Sequence, residues 1–283
     1  MPLVCRRIHR LRYCSVLWFL IVAGAVFAYS VAGQIDDSVE CYAVLLEVHE
    51  YPEPYTDIPL GHVDVERISD MLELLGWPTE SITVYLDNEV TRGKLIQSLN
   101  WLSRNTDGSD LVFFYLTAHG TFVRDVLRWN ATVPSRWARI ASPHKVLLLS
   151  SCVAGMFIAP FAEIETSGQI VVGAVGPREY NWCGVEEEGL PIVGRPIVHY
   201  FVQAMADSKS DADGDVSVEK AIETSTPRFQ EYFREEIFVA PEFLEQFRVA
   251  HANDGWPFCP DRYPNPVVVD TDPSPMILDT SYY

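Results

Sequence analysis

Runs of apolar residues predict the strands of a buried sheet. Four short runs, at 43–48, 111–116, 145–150 and 169–175, are mostly apolar and do not alternate with polar residues, which is typical of parallel strands covered on both faces. A weaker run at 81–86 (SITVYL) predicts a fifth strand between two helical segments. The strands therefore alternate with helices in the first half of the chain.

Three segments place apolar residues at helical spacing. We expect Gly76 to end the first helix and Thr91 to cap the start of the second. The apolar faces consist of Val65, Ile68, Leu72 and Leu75, of Leu95, Leu99 and Leu102, and of Ile197, Val198, Phe201, Val202 and Met205. This order predicts an α/β fold with a mostly parallel sheet between helices, and a long loop between the strands at 111–116 and 145–150.

Composition indicates one globular domain. Hydrophobic residues make up 48% of the 283-residue chain and charged residues 21%, which excludes disorder over most of its length. We expect the domain to span residues 38–270, with a short edge strand at 266–269. Six of the 19 prolines fall within the last 27 residues, and residues 271–283 are predicted to be an extended tail.

The N-terminus has the pattern of an export signal. A basic stretch, Arg6 to Arg12, precedes an apolar run over 15–31, and small residues follow at 30–32. Residues 1–32 are therefore predicted to be a cleaved signal peptide or an uncleaved membrane anchor. Either interpretation implies a secreted or membrane-attached domain outside the cytoplasm.

Charge argues against a nucleic-acid partner. The formal net charge is −18, from 21 basic and 39 acidic side chains, and such a surface repels phosphate backbones.

Two strand ends carry reactive side chains. The strand at 111–116 leads to His119-Gly120, and the strand at 145–150 leads to Cys152. If the strands are neighbours, an imidazole and a thiol share one edge of the sheet, as a nucleophile and its acid/base require. A helix beginning after Cys152 would favour the thiolate, and the N–H groups of Gly120 and Cys152 would form an oxyanion hole. The alternative is a buried structural cysteine and a hydrogen-bonded structural histidine.

The sequence resembles the caspase-fold cysteine peptidases, which include caspases, metacaspases, legumains and gingipains. The likeness covers most of residues 41–235 and rests on DLVFFYLTAHG, KVLLLSSCVAG and the segments around them, in the same order. It is strongest toward legumain-like or metacaspase-like prokaryotic members. The resemblance implies a three-layer α/β/α fold and hydrolysis of protein or peptide substrates through an acyl-enzyme thioester. It implies His119 as acid/base, Cys152 as nucleophile and no required cofactor.

The resemblance also points to the pocket for the residue before the cut bond, P1. Many relatives have an acid two residues before the cysteine, where this chain has Ser150. Glu179 is a candidate pocket acid, and an exposed loop carboxylate is the alternative.

An acidic segment near 211 resembles part of a calcium loop. Asp211, Asp213, Asp215 and Glu219 are candidate ligands for a structural Ca²⁺, but Val216 and Ile222 occupy the positions where an EF-hand needs Gly and Glu. A loop that only caps the next helix is the alternative.

Several functional alternatives stay open at this level. A legumain-like or transamidase-like transpeptidase would use the same chemistry, and a catalytically silent scaffold would use only the fold. Cys41, Cys152, Cys183 and Cys259 lie outside the signal, and their pairing cannot be chosen from sequence.

Overall fold

The structure is a computed structural model that describes residues 39–58, 60–164, 166, 168–210, 217–271 and 274–282. Within it, Val39–Tyr283 form one compact unit. The predicted signal or anchor at 1–32 lies outside the described residues. No helix among the described residues has the length and apolarity needed to cross a membrane.

A single six-stranded sheet runs through the unit in the order β2-β1-β3-β4-β5-β6. The first five strands are parallel, and β6 pairs antiparallel with β5. The strands are β1 (Cys41–Glu47), β2 (Ile82–Leu86), β3 (Leu111–Thr117), β4 (His144–Ser150), β5 (Gln169–Gly173) and β6 (Val267–Asp270). The five predicted strands are confirmed, and the predicted edge strand is shifted by one residue.

Helices cover both faces of the sheet. They are α1 (Val63–Leu74), α2 (Arg92–Asn105), α3 (Gly120–Asp125), α4 (Thr132–Trp137), α5 (Ala154–Ile158), α6 (Pro196–Ser210), α7 (Val218–Tyr232) and α8 (Pro241–Asn253). Helix α6 packs against α1 and α7, while α2 packs against α4. The three-layer α/β/α arrangement is therefore confirmed.

The helix boundaries have the expected local causes. Gly76 follows α1 with a φ of +88°, a conformation that glycine adopts without strain. The hydroxyl of Thr91 accepts the N–H of Lys94 at 3.1 Å, so it caps α2.

The segment between β3 and β4 corrects the expectation of a long loop. It contains α3 and α4, each six residues long. Helices with fewer than two turns show too few repeats for a 3.6-residue pattern to be recognised. Trp137, at the end of α4, is fully buried and contacts Phe114 of β3.

The centre of the core lies along β3 and β4. All seven residues of β3 are buried, as are Lys145 to Ser150 of β4. The C-terminal segment also joins the core, because Met276 and Leu278 are buried and the indole N–H of Trp77 donates to the Leu278 carbonyl at 2.7 Å. The chain end thus packs beside the C-terminus of α1.

Candidate active site

His119 and Cys152 follow neighbouring strands. Strands β3 and β4 pair in parallel with Thr117 opposite Ser150, so each candidate lies two residues beyond the same row of the sheet. The hydroxyl of Thr117 donates to the Ser150 carbonyl at 2.8 Å and links the two strand ends. The predicted common edge is confirmed.

The backbone of the His-Gly segment meets the backbone of the cysteine. A Cβ placed on Gly120 would lie 2.5 Å from the Cys152 carbonyl oxygen and 3.2 Å from the carbonyl carbon. Any side chain at this position would therefore push the two segments apart. Glycine at 120 permits the contact.

Two residues from the loop after β1 hold His119. Its main-chain N–H donates to the Tyr51 hydroxyl oxygen at 2.9 Å, and Nε2 lies 2.9 Å from the Thr56 carbonyl oxygen. A carbonyl only accepts, so Nε2 carries the proton and Nδ1 of the neutral ring is free to take one. The Tyr51 ring packs on the imidazole with centroids 4.6 Å apart.

Burial sets the charge state of His119. It lowers the pKa of the imidazole below its ordinary value of 6.5, although the Thr56 carbonyl acts in the opposite direction. The neutral base is therefore the resting form at neutral pH.

Cys152 begins a strained turn. Val153 adopts a left-handed conformation with φ +54°, which is unfavourable for a β-branched residue. Its N–H donates to the Glu179 carbonyl at 2.8 Å, and the N–H of Gly155 donates to the Val175 carbonyl at 2.9 Å. The loop after β5 thus fixes the turn that presents the thiol.

The thiol is protonated at rest. Burial raises the pKa of Cys152 above its ordinary value, despite an opposing contact with the Asn181 carbonyl, which lies 3.8 Å from Sγ. We expected a helix after Cys152 to favour the thiolate. Helix α5 has only five residues, and the effect of burial exceeds any contribution it makes.

Two buried charged residues, Arg195 and Asp64, lie near this edge and were missed by the sequence reasoning. The main-chain N–H of Arg195 donates to Asp64 Oδ1 at 3.0 Å, and its Nε donates to the Thr117 hydroxyl at 3.1 Å. Burial, followed by repulsion from Glu47, raises the pKa of Asp64 to about 6. No motif or periodicity marks either residue, because they join segments 131 positions apart.

The two candidate pocket residues have other partners in this structure. Ser150 is fully buried, and its hydroxyl accepts an N–H from the Asn181 side chain at 3.2 Å. The Glu179 carboxylate accepts the N–H groups of Gly176 and Asn265 at 2.8 and 2.9 Å. Their role in selecting P1 stays a prediction.

The loop around Glu179 lines a cavity of about 370 Å³ beside the cysteine turn. Its charged lining residues are Glu179, Arg178 and Arg262, and its aromatic ones are Tyr180, Phe238, Phe247, Trp256 and Phe258. The Arg262 Nε lies 3.6 Å from Glu179 Oε1, so the loop carboxylate already has a cationic neighbour.

The predicted calcium ligands are only partly visible. Asp211, Asp213 and Asp215 lie outside the described residues. Both carboxylate oxygens of Glu219 accept the N–H of Met276, at 2.9 and 3.0 Å. Among the described residues, no three His, Cys, Asp or Glu side chains are grouped to hold a metal ion, and the four cysteines are free thiols.

Comparison with known proteins settles the fold. A family model described as the caspase domain matches residues 40–158, which include His119 and Cys152. The crystal structure of caspase-1 from Spodoptera frugiperda matches with a TM-score of 0.53 at 11% sequence identity, covering 85% of this chain and 90% of that one. This chain has the caspase fold. No curated protein matches it in sequence.

The match to the caspase domain supports a function of the cysteine-peptidase type in general. At 11% identity, the similarity to the solved structure establishes the fold and not the activity. The closer likeness to legumain-like or metacaspase-like members stays a prediction.

Proposed function

We propose that this caspase-fold chain is a cysteine endopeptidase with Cys152 as nucleophile and His119 as general acid/base. The observation that carries the proposal is the contact between Gly120 and the Cys152 backbone. It brings a residue adjacent to the imidazole against the residue that bears the thiol. A buried structural pair would not require such an approach together with a free Nδ1.

The first chemical step is attack on the peptide carbonyl. Nδ1 of His119 takes the proton of the Cys152 thiol, whose raised pKa makes this base necessary. The thiolate then adds to the carbonyl carbon, and the N–H groups of Gly120 and Cys152 stabilise the oxyanion. Donors of this kind contribute about 10²–10³-fold to kcat each.

The second step divides the substrate. The tetrahedral intermediate collapses with cleavage of the C–N bond, and His119 returns its proton to the leaving amine. The acyl group remains on Sγ as a thioester. Water, deprotonated by His119, attacks the thioester and releases the acid and the free thiol.

A transpeptidase would follow the same path until an amine replaced water at the thioester. A silent scaffold would keep the fold without turnover. The retained pair of His119 and Cys152 favours catalysis over the scaffold, and the thioester step is common to hydrolase and transpeptidase.

The decisive experiment is cleavage of a peptide library varied at P1 by the purified chain and its Cys152→Ala variant. Cleavage by the wild type alone would support the proposal. Equal cleavage by both would refute it, and absence of cleavage from about pH 4 to pH 8, with and without Ca²⁺, would favour the scaffold. Adding an amine nucleophile would distinguish transfer from hydrolysis.

Export and calcium binding are separate proposals. Export rests on the pattern of residues 1–32, and protease accessibility of the chain on intact cells tests it. The calcium site rests on Asp211, Asp213, Asp215 and Glu219, and calorimetry with Ca²⁺ tests it. Absence of heat and of a shift in melting temperature would overturn the site.

A further inference from the structure

The loop between β1 and α1 is the support of the general base. We use "β1–α1 loop" for residues 48–58 and 60–62. It supplies the Tyr51 hydroxyl, which accepts the main-chain N–H of His119, and the Thr56 carbonyl, which accepts the N–H of its Nε2. The Tyr51 hydroxyl in turn donates to the Val48 carbonyl at 2.7 Å. The position of His119 therefore depends on how this loop is closed.

His49 closes the loop at its base. Its Nδ1 lies 2.8 Å from the Leu60 carbonyl oxygen, at the far end of the loop. Its Nε2 lies 2.9 Å from Glu47 Oε1 on β1, and its main-chain carbonyl accepts the N–H of Ile58 at 2.9 Å. The ring thus bridges the strand and both ends of the loop.

Both neighbours of the ring are acceptors. A carbonyl oxygen has no proton to give, and an ionised carboxylate has none either. Nδ1 donates to the Leu60 carbonyl, whereas Nε2 and Glu47 Oε1 approach to 2.9 Å without the geometry of a hydrogen bond. A protonated ring makes this buried contact an ion pair, whereas a neutral ring would turn a lone pair toward the carboxylate. His49 is 2% exposed and Glu47 is fully buried, so the pair is sheltered from water and salt.

The surroundings of the ring are charged on several sides. Glu47 comes from β1, and its second oxygen accepts the N–H of Val65 at 3.0 Å. Asp87, after β2, accepts the N–H groups of His49 and Glu50 through Oδ1. The His62 ring stacks on His49 at 5.2 Å, and its Nε2 lies 3.2 Å from Asp87 Oδ2.

The balance of these groups favours the charged ring. Burial and the positive charge of Arg195 act against it, but Glu47 and the Leu60 carbonyl outweigh them and raise the pKa of His49. Asp64, which accepts the main-chain N–H of Arg195, is a further buried carboxyl near Glu47.

We propose that His49 is a positioning residue for the general base, acting as an imidazolium that ties Glu47 to the Leu60 carbonyl and so closes the loop that holds His119. The role in catalysis rests on the proposed function, whereas the closure of the loop does not. When the ring loses a proton, Nδ1 still donates to Leu60, but the attraction between Nε2 and the Glu47 carboxylate is lost. The loop then loses one of its ties, and His119 loses its fixed position.

The raised pKa of His49 determines how the closed loop depends on pH. The folded pKa of His49 is raised, so the closed loop is complete below that pKa and is lost as the pH rises through it. Cleavage should therefore fall on the alkaline side in kcat rather than in KM, because the reacting groups and not the bound peptide are misplaced. A misplacement of about 1 Å costs about 100-fold in rate.

The substitution Glu47→Gln provides an N–H donor at residue 47, so that a neutral His49 suits the contact, and it keeps the size and shape of the side chain. The amide oxygen accepts the Val65 N–H, and the amide N–H donates to Nε2 of a neutral His49. That ring still donates from Nδ1 to Leu60. The closed loop should then persist at alkaline pH, and the alkaline fall in kcat should disappear. Glu89→Gln is the matched control, since Glu89 also accepts a main-chain N–H, from Leu86, but has no contact with the loop.

Two measurements separate the closure of the loop by His49 from its role in catalysis. The first is kcat and KM against pH for the wild type, Glu47→Gln and Glu89→Gln. The second needs no substrate: the ¹⁵N chemical shifts of the His119 ring, which report the single tautomer that the Thr56 carbonyl holds. We expect these shifts to move toward the average of the two tautomers at alkaline pH in the wild type and in Glu89→Gln, and to keep the single-tautomer values in Glu47→Gln.

The outcomes are distinct. The expected NMR pattern in a chain that cleaves no peptide would support the closure by His49 and refute the peptidase. An identical NMR pH dependence in the wild type and Glu47→Gln would overturn the role of His49, whether or not peptides are cleaved. If Glu47→Gln fails to fold, His49→Ala replaces it. We expect the single-tautomer shifts of neutral His119 to be lost in this variant, and their retention would overturn the proposal.

Discussion

Gly120 packs directly against the backbone of Cys152, so closely that a Cβ on it would lie 2.5 Å from the cysteine carbonyl oxygen. The approach joins the turn after β3 to the turn after β4. The general base and the nucleophile therefore share one rigid backbone contact.

Gly120→Ala should abolish most activity with a smaller effect on folding. The methyl group would separate the two turns, and we expect kcat/KM to fall about 100-fold. Gly108→Ala is the control, because a Cβ there meets no atom within 4 Å. Steady-state kinetics of both variants, with urea unfolding, measures the effect; equal kinetics in the two would show that the contact has no catalytic role.

Arg195→Met should destabilise the protein by about 3 kcal/mol, because it removes one of the two arginine charges, of Arg195 and Arg67, that stabilise the buried Asp64 carboxylate. The double variant Asp64→Asn/Arg195→Met should recover much of that loss. Chemical denaturation of the wild type and the three variants forms a double-mutant cycle. Additive losses would contradict the pairing.

The same pair gives a pH dependence with a defined sign. The pKa of Asp64 is raised to about 6 in the fold, so its stabilising contribution is present at acid pH and decreases as the pH rises through about 6. Without Arg195 the carboxylate is less well stabilised. The deficit of Arg195→Met relative to the wild type should therefore be larger at pH 8 than at pH 5, as measured by denaturation at each pH.

The acid limb of peptide cleavage should lie below pH 6.5. His119 must be neutral to act as base, and burial lowers its pKa from the ordinary value of 6.5. The profile of kcat/KM from about pH 4 to pH 7 reports this group in the free enzyme. A limb at or above 6.5 would mean that the imidazole is not buried as described.

Basic residues at P1 should be disfavoured. Ser150 carries no charge, the carboxylate of Glu179 is occupied by two main-chain N–H groups, and Arg195 is close enough to lower the pKa of Cys152. A like charge brought near it costs several kcal/mol, or about 100-fold or more in relative kcat/KM. The P1 library measures this, and preferred cleavage after Lys or Arg would instead support Glu179 as the pocket acid.

The sheet and the edge that carries the reactive side chains could be predicted from the sequence. The apolar runs at 111–116 and 145–150 are typical of strands buried on both faces, and their ends located His119 and Cys152. Thr91 and Gly76 marked helix boundaries through local backbone chemistry. Such features depend on neighbours a few positions away, which a single chain displays directly.

The support of the site could not be predicted in this way. Tyr51 and Thr56 lie 68 and 63 positions from His119, and Arg195 lies 131 positions from Asp64. Nothing in their spacing distinguishes them from other loop residues. The charge state of Cys152 was also inaccessible, because it depends on burial by segments that meet only in the fold.

The central claim is that Cys152 carries the acyl group of the substrate. The most direct test is a single-turnover reaction of the purified chain with a peptide activated ester, quenched in acid and analysed by intact-protein and peptide mass spectrometry. We expect an adduct with the mass of the acyl group on Cys152. It should be absent in Cys152→Ala and should form more slowly in His119→Ala. Product release without an adduct, or an adduct on Cys183 or Cys259 instead, would contradict it.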